Sequence, residues 1–390
     1  MSHRTQLLIY FAAVMCMAAA AGGVHDSIFN NFLNHEYKMS AGARGNLEFP
    51  RELPGLMVVV MTGILCALSV TRMATLATII FAAGMMGLGL MGNVYPLMIL
   101  MMILGSTGLH LLMPAGSTLT LALAAEGRKG KRMGQVGVME NVGVILGAGI
   151  VWLMFRAMHL PYRAGFITAG VLGLASAFFY SRLRVPGIHG KRARFLVRKK
   201  YSLYYALEFL WGARKQIFIT FGPWVLIKEY GREPDSIGIL LMTGAFLGIV
   251  ARPLAGWCID RFGERKVLIA DGLILSVVCI GYGYALKIAP NADAARRIAC
   301  ACFIADNLLM ALSAARAIYL SHMSPSHEET ASTLSMGISI NHFVSMIIPT
   351  FAGLLWDGVG YEKVFLAAAF LALCNAATAS LMPRKRQAIV

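Results

Sequence analysis

Apolar stretches of about 20 residues recur from one end of this chain to the other, each long enough at 1.5 Å per residue to cross a hydrocarbon core roughly 30 Å thick. A water-soluble domain does not repeat such runs, and a chain whose solvent is lipid must satisfy its backbone internally, here as helices. Composition agrees: 58% of the residues are hydrophobic and 14% charged, against roughly one-quarter charged in soluble domains. The expected fold class is an all-α membrane protein.

Charge, Gly and Pro punctuate the apolar runs and predict twelve spans, at approximately 7–33, 53–71, 74–92, 95–124, 134–156, 163–182, 202–228, 236–257, 266–287, 298–321, 332–356 and 362–382. An even number puts both termini on one side. The formal net charge of +16 would suit nucleic acid if it were gathered on one surface, but Lys and Arg sit in short runs between apolar segments, which sets membrane orientation instead. No nucleic-acid partner is expected. One set of alternate loops holds Arg4, Arg72, the cluster Arg128, Lys129, Lys131 and Arg132, the stretch from Arg182 to Lys200, then Arg261, Arg265, Lys266 and the terminal Arg384, Lys385 and Arg386. The other set, with Lys38, Arg44, Arg51, Arg156, Arg163, Lys228, Arg232, Lys287, Arg296, Arg297 and Lys363, is poorer. The positive-inside rule then places both termini in the cytoplasm. The richest segment reads as a cytoplasmic linker, 183–201, between an N-terminal six-helix bundle, 1–182, and a C-terminal one, 202–390.

An internal repeat supports two halves. Gly137 to Asn141 in span five lines up with Gly337 to Asn341 in span eleven, and Met61-Thr62-Gly63 in span two echoes Met242-Thr243-Gly244 in span eight. Each match is short, but both fall at the same place in each half, the symmetry on which alternating access is built. The first 25 residues mimic a signal peptide, with Arg4, an apolar run from Leu7 and the small residues Ala18 to Gly23. The apolar character resumes through Ile28, Phe29, Phe32 and Leu33, too long for a cleaved leader, so a first span is expected. Seven cysteines, among them the close pair Cys300 and Cys302, lack metal-ligand spacing, and the methionines, Met85, Met86, Met98, Met101 and Met102 included, lack His or Cys at matching positions. No metal and no cofactor is expected, and no Gly-rich Lys loop for ATP occurs.

The segment Gly256, Trp257, Cys258, Ile259, Asp260, Arg261, Phe262, Gly263, Glu264, Arg265, Lys266 resembles the loop signature of the major facilitator superfamily, Gly, three residues, then Asp-Arg-x-Gly-x-Arg-Lys. The resemblance implies two pseudo-symmetric six-helix bundles that transport a small solute by alternating access. It also assigns Gly256, Asp260, Arg261, Gly263, Arg265 and Lys266 to a cytoplasmic gate, with Gly256 permitting close helix approach, Asp260 capping or pairing at a helix end and Gly263 turning the chain. A bacterial inner membrane and a monomer are the accompanying expectations. Three departures stand out. The equivalent first-half loop has shrunk to Val70-Thr71-Arg72-Met73, the Arg that many members carry in span four is absent, and Ala148 follows Gly143 and Gly147 where proton-antiporting exporters carry Pro. Drug/proton antiport loses support accordingly.

A charge at mid-bilayer costs some kilocalories, which makes each intramembrane polar residue a functional candidate. Span one offers His25, Asp26 and Asn30, with Asp26 and Asn30 on one face; the competing reading is a hydrated outer end. In span seven, Glu208 and Lys215 are separated by about 700° of rotation and share a stripe with Trp211, Gly212 and Tyr204. This describes a wall of a polar cavity or a structural ion pair. Arg214 points elsewhere, toward a carboxylate on a neighbour. Span ten adds Asp306 and Arg316, span five Glu140 and Asn141, span eleven Asn341 and His342, and span four His110, which reads as a packed, hydrogen-bonded contact. Pro50 to Gly55 reads as a solvated helix start, with Arg51 or Glu52 as an alternative outer latch.

These residues lead to a proton-coupled secondary transporter whose coupling group is one of Asp26, Glu140, Glu208 or Asp306. Arg214, Lys215 and Arg316 favour a small organic anion, weakly, because acids of similar number face them. Export of amphipathic compounds and a non-transporting assembly or sensor role stay open. An enzyme is not expected, because no nucleophile, base and orienting group recur at close spacing.

Overall fold

The structure is a computed structural model, and it describes residues 2–126, 128–185, 198–325 and 327–383. Most of the expected linker, residues 186–197, and the terminal Arg384, Lys385 and Arg386 lie outside the described residues. Among the described residues the chain is helical, with no β-strand: α1 His3–Ala18, a π-helical turn Ala19–His25, α2 Asp26–Tyr37, α3 Ala41–Asn46, α4 Glu48–Ile64, α5 Val70–Met91, α6 Tyr95–Ala122, α7 Lys129–Trp152 and α8 Tyr162–Arg182. There follow α9 Ser202–Lys228, α10 Pro234–Phe262, α11 Glu264–Gly283, α12 Ala285–Ile288, α13 Ala292–Leu309, α14 Ala314–Met323, α15 His327–Val359 and α16 Tyr361–Ser380.

Ten helical stretches among the described residues are long and apolar enough to cross a membrane, the first running unbroken from His3 to Tyr37. The two expected spans that do not meet this measure are instructive. Helix α4 is 17 residues long, and α9, at 27 residues, carries Glu208, Arg214, Lys215 and Lys228. The second therefore falls short through polarity, the property that makes it interesting. The shrunken first-half loop is shorter still than expected, because Val70 to Met73 already form the first turn of α5 and Ser69 caps it, accepting from the Arg72 amide.

The chain forms two compact units. The first gathers the described residues of 1–39, 50–192 and 231–249. Its core joins Tyr10, Ala13 and Val14 of α1 to Val70, Met73 and Ala74 of α5, Leu119 of α6 and Tyr180 of α8. The buried Tyr10 hydroxyl donates to the Gly116 carbonyl at 2.9 Å and shares a hydrogen bond with Thr120 at 2.7 Å. Small residues bring backbones together where lipid supplies no hydrophobic drive between helices. Here the π turn, with Ala19 and Gly23, lies directly against Gly143 and Gly147 of α7.

The second unit gathers the described residues of 40–49, 193–230 and 250–390. Tyr201, Tyr204 and Leu207 beside α9's start pack with Leu268 of α11, Tyr319 and Leu320 of α14 and Ala379 of α16. Segment 40–49 is part of this unit. Asp357 of α15 accepts from the amides of Ala41 and Gly42 at 3.0 and 2.8 Å, and Gly45 lies against the Pro349 carbonyl. Arg44, expected in a solvated loop, is instead 2% exposed. It donates to Glu48 at 2.6 Å, and the other Glu48 oxygen accepts from Gln216 of α9 at 2.9 Å. A buried charge needs such a partner, and i, i+4 spacing on α3 and α4 provides it.

Candidate functional site

Helix α9 is the organising element. Its stripe of Tyr204, Glu208, Trp211 and Lys215 faces polar residues of other helices in the second unit. Arg316 of α14 donates from Nε to Glu208 Oε1 at 2.9 Å, and its guanidinium carbon lies 3.9 Å from the centre of the Trp211 ring. The Lys215 ammonium stands 5.0 Å over the same ring and donates to Asn341 Oδ1 of α15 at 2.7 Å. Gly212 makes room for that amide: a methyl group there would meet Asn341 Nδ2 at 3.0 Å. The Tyr204 hydroxyl lies against Gly337. Arg214, on another face of α9, pairs with Asp306 of α13, and both are buried.

The second unit thus gathers Tyr204, Glu208, Trp211, Arg214, Lys215, Asp306, Arg316 and Asn341. Glu208, Arg214, Asp306 and Arg316 are buried, whereas Trp211 and Lys215 are half-buried. Fixed ion pairs line the interior of this cluster, and one ammonium and one indole form its accessible edge. Such an edge can bind an anionic or π-rich group, since an ammonium beside an aromatic face offers charge and stacking together.

In the first unit the candidates are spread over three helices. His25, at the end of the π turn, is buried, stacks on Phe29 with centroids 4.8 Å apart and hydrogen-bonds Asp26 at 2.9 Å. The Asp26 side chain is exposed and Asn30 is buried. His110 Nδ1 bonds the Ser106 carbonyl at 2.9 Å, and its Nε2 lies 3.8 Å from Glu52. Glu140 is half-buried and Asn141 buried on α7. The solvated start expected for span two is corrected here: Glu52 is buried, 2.9 Å from Arg51. Asn141 and Asn341, equivalent in the repeat, have comparable settings. A methyl group at Gly248 would meet Asn141 Nδ2 at 3.3 Å, as one at Gly212 would meet Asn341. His342 is buried on α15.

In the loop signature, Gly263 turns the chain between α10 and α11 with φ of 82°, a conformation that favours glycine. Arg265 donates to the Ser380 carbonyl at 2.7 Å. Asp260, Arg261 and Lys266 are exposed. Gly256 is corrected: it is exposed, and among the described residues nothing lies within 4 Å of a Cβ placed there, so it does not serve close helix approach in this structure.

One buried group of this region went unseen in the sequence. Asp271 of α11 is 1% exposed, and its surroundings include the charges of Arg214, Arg316 and Asp306. A lone Asp inside the apolar run of span nine was the available signal.

Residues 204–389 match the family model for the Major Facilitator Superfamily. No curated protein sequence matches the chain. Among solved structures, a mutant form of the nucleoside transporter NupG is similar with a TM-score of 0.77 at 14% identity, covering 98% of this chain and 100% of that one. A bacterial homologue of the human lysosomal transporter Spinster, inward-facing and unoccupied, gives 0.70 at 13% identity, covering 98% and 97%. The human organic anion transporter MFSD10 gives 0.68 at 12% identity, covering 97% and 100%. With the family match over residues 204–389 and the fold shared along nearly its whole length, this multi-pass membrane protein is similar to transporters of the Major Facilitator Superfamily.

Proposed function

We propose that this chain is a secondary transporter that moves a small organic anion across the membrane by alternating access, coupled to protons. In this reading two six-helix bundles, 1–182 and 202–390, rock about a central site, with linker 183–201 and both termini in the cytoplasm of a bacterial cell. The observation that carries it is Lys215, a half-buried ammonium held by Asn341 and the Trp211 face at the edge of a buried charge cluster. An anionic group arriving there gains a charge-assisted hydrogen bond in a setting of low dielectric. The acids Glu208 and Asp306, each paired to an arginine, are groups through which a proton could change the cluster's charge; Asp26 and Glu140 are the corresponding groups of the first unit.

Proteins of this fold are described as carrying organic anions and nucleosides, so the test spans both. The purified protein is screened for thermal stabilisation by organic acids, nucleosides, sugars and hydrophobic cations at about pH 5.5 and about pH 7.5, and hits are followed by uptake into proteoliposomes. Stabilisation confined to anions and lost in Lys215→Ala supports the reading. Stabilisation by hydrophobic cations, or binding without flux, overturns it in favour of an exporter or a membrane sensor.

A further inference from the structure

After the first turn of α11, Asp271 is the helix's one charged residue. Its side chain is 1% exposed, and Oδ1 is buried without a hydrogen-bond partner among the described residues. The elements packed against α11 are α12, α13, α14, α16 and the short turn Met310–Ser313. The charges that act on Asp271 from them and from α9 are Asp306, Arg316 and Arg214. The others are engaged elsewhere: Lys287 of α12 pairs with Glu362 of α16 at 3.0 Å, and His322 of α14 with Glu264 at 3.0 Å. Lys363 of α16 and Asp293, Arg296 and Arg297 of α13 lie in or near the first turns of those helices, and the turn Met310–Ser313 carries no charge.

Both guanidiniums that reach Asp271 are already engaged, Arg214 by Asp306 and Arg316 by Glu208. An ionised Asp271 would therefore leave an unpartnered carboxylate oxygen in a 1% exposed place, which is too costly to keep, and a group so placed neutralises instead.

We infer that Asp271 is a proton-binding site, holding a proton as a neutral carboxylic acid beside the buried pairs Arg214–Asp306 and Arg316–Glu208. Release is the simple dissociation of that acid to a carboxylate and a proton passed to water. The carboxylate so formed competes with Glu208 for Arg316, whose Nη1 is buried without a partner among the described residues. That competition is a means by which a proton repartners α14 from α9 to α11. The link to transport rests on the proton-coupled reading above, but the protonation itself does not.

Infrared difference spectroscopy of the purified full chain near neutral pH tests it. A carboxylic-acid C=O stretch is expected above the amide bands, shifting on exchange into D2O and on ¹³C labelling of aspartate carboxyls in the unmutated protein. Asp271→Asn removes the band. Asp271→Glu, which keeps an acid in place, moves it out of the set sensitive to the aspartate label. Absence of the band, insensitivity to the aspartate label, or survival of the labelled band in either variant overturns the assignment. None of these readouts requires flux, so failure of the transport reading and failure of this one are distinguishable.

Discussion

The guanidinium carbon of Arg316 lies 3.9 Å from the centre of the Trp211 ring. Glu208, three residues earlier on the same helix as that ring, accepts from Arg316 Nε at 2.9 Å, so neighbouring positions of α9 fix one cation of α14 from two directions. Trp211→Phe keeps a weaker π face and is expected to lose about 0.5–1 kcal/mol of stability. Trp211→Ala removes the face and its packing together and should cost several times that. Arg316→Lys gives up the planar fork that bonds and stacks at once. Thermal melts of the three variants, each at the same detergent and salt, give the order: Phe mildest, Ala and Lys clearly lower.

The buried pair Arg214 and Asp306 behaves differently from a surface ion pair. Removing one partner strands the other charge, an effect of about 3–5 kcal/mol. Arg214→Met alone should therefore fold poorly or melt far below the parent. Arg214→Met combined with Asp306→Leu leaves no stranded charge and is expected to recover most of the loss. A double-mutant cycle on melting temperature measures the coupling; additive losses would show that the two side chains do not depend on each other.

The stripe on α9 was legible because helical periodicity alone brings Tyr204, Glu208, Trp211, Gly212 and Lys215 to nearly one face. What faces that stripe was not. Arg316 and Asp306 were visible as isolated intramembrane charges, but partner choice depends on how α13 and α14 pack against α9, which no local pattern encodes. Asp271 was hidden by its own surroundings, since one acid barely lowers the mean hydropathy of an apolar span. Arg44 was misread for the opposite reason. A charged stretch between two apolar runs reads as a solvated loop, and only the tertiary contact of Gly45 with α15 buries it. The glycines of span five were visible as a pattern, yet sequence alone did not say which of them touches another helix.

That last distinction is testable. A Cβ on Gly147 would overlap the backbone of Ala19, whereas one on Gly149 meets nothing within 4 Å among the described residues. Gly147→Ala must push the π turn away from α7 and is expected to cost about 1–3 kcal/mol. Gly149→Ala should be neutral or slightly stabilising, because Ala is the better helix former by about 1 kcal/mol. Equal losses in melting temperature at the two positions would contradict the packing described here.

Outside the membrane-spanning segments, Glu329 at the start of α15 gathers the end of the linker. Its Oε1 accepts from Lys200 at 2.5 Å, Tyr201 at 2.6 Å and Arg198 at 2.9 Å. The Lys200 hydrogen bond, with Tyr201 next, holds the Glu329 carboxyl below its ordinary value of 4.5. The same bond to Glu329 raises Lys200 above its ordinary 10.5. A depressed acid contributes stability that is present above its unfolded value and is lost as pH falls through its lower folded one. A raised amine contributes stability that is complete below its unfolded value and is lost as pH rises through its higher folded one. The tether is therefore whole between about pH 4.5 and pH 10.5. Amide hydrogen exchange at 198–201, corrected for intrinsic rates, should be flat across neutral pH and accelerate as pH falls below that window. Glu329→Gln should show faster exchange already at neutral pH and no acid step. An acid step that persists in Glu329→Gln would place the titrating group elsewhere.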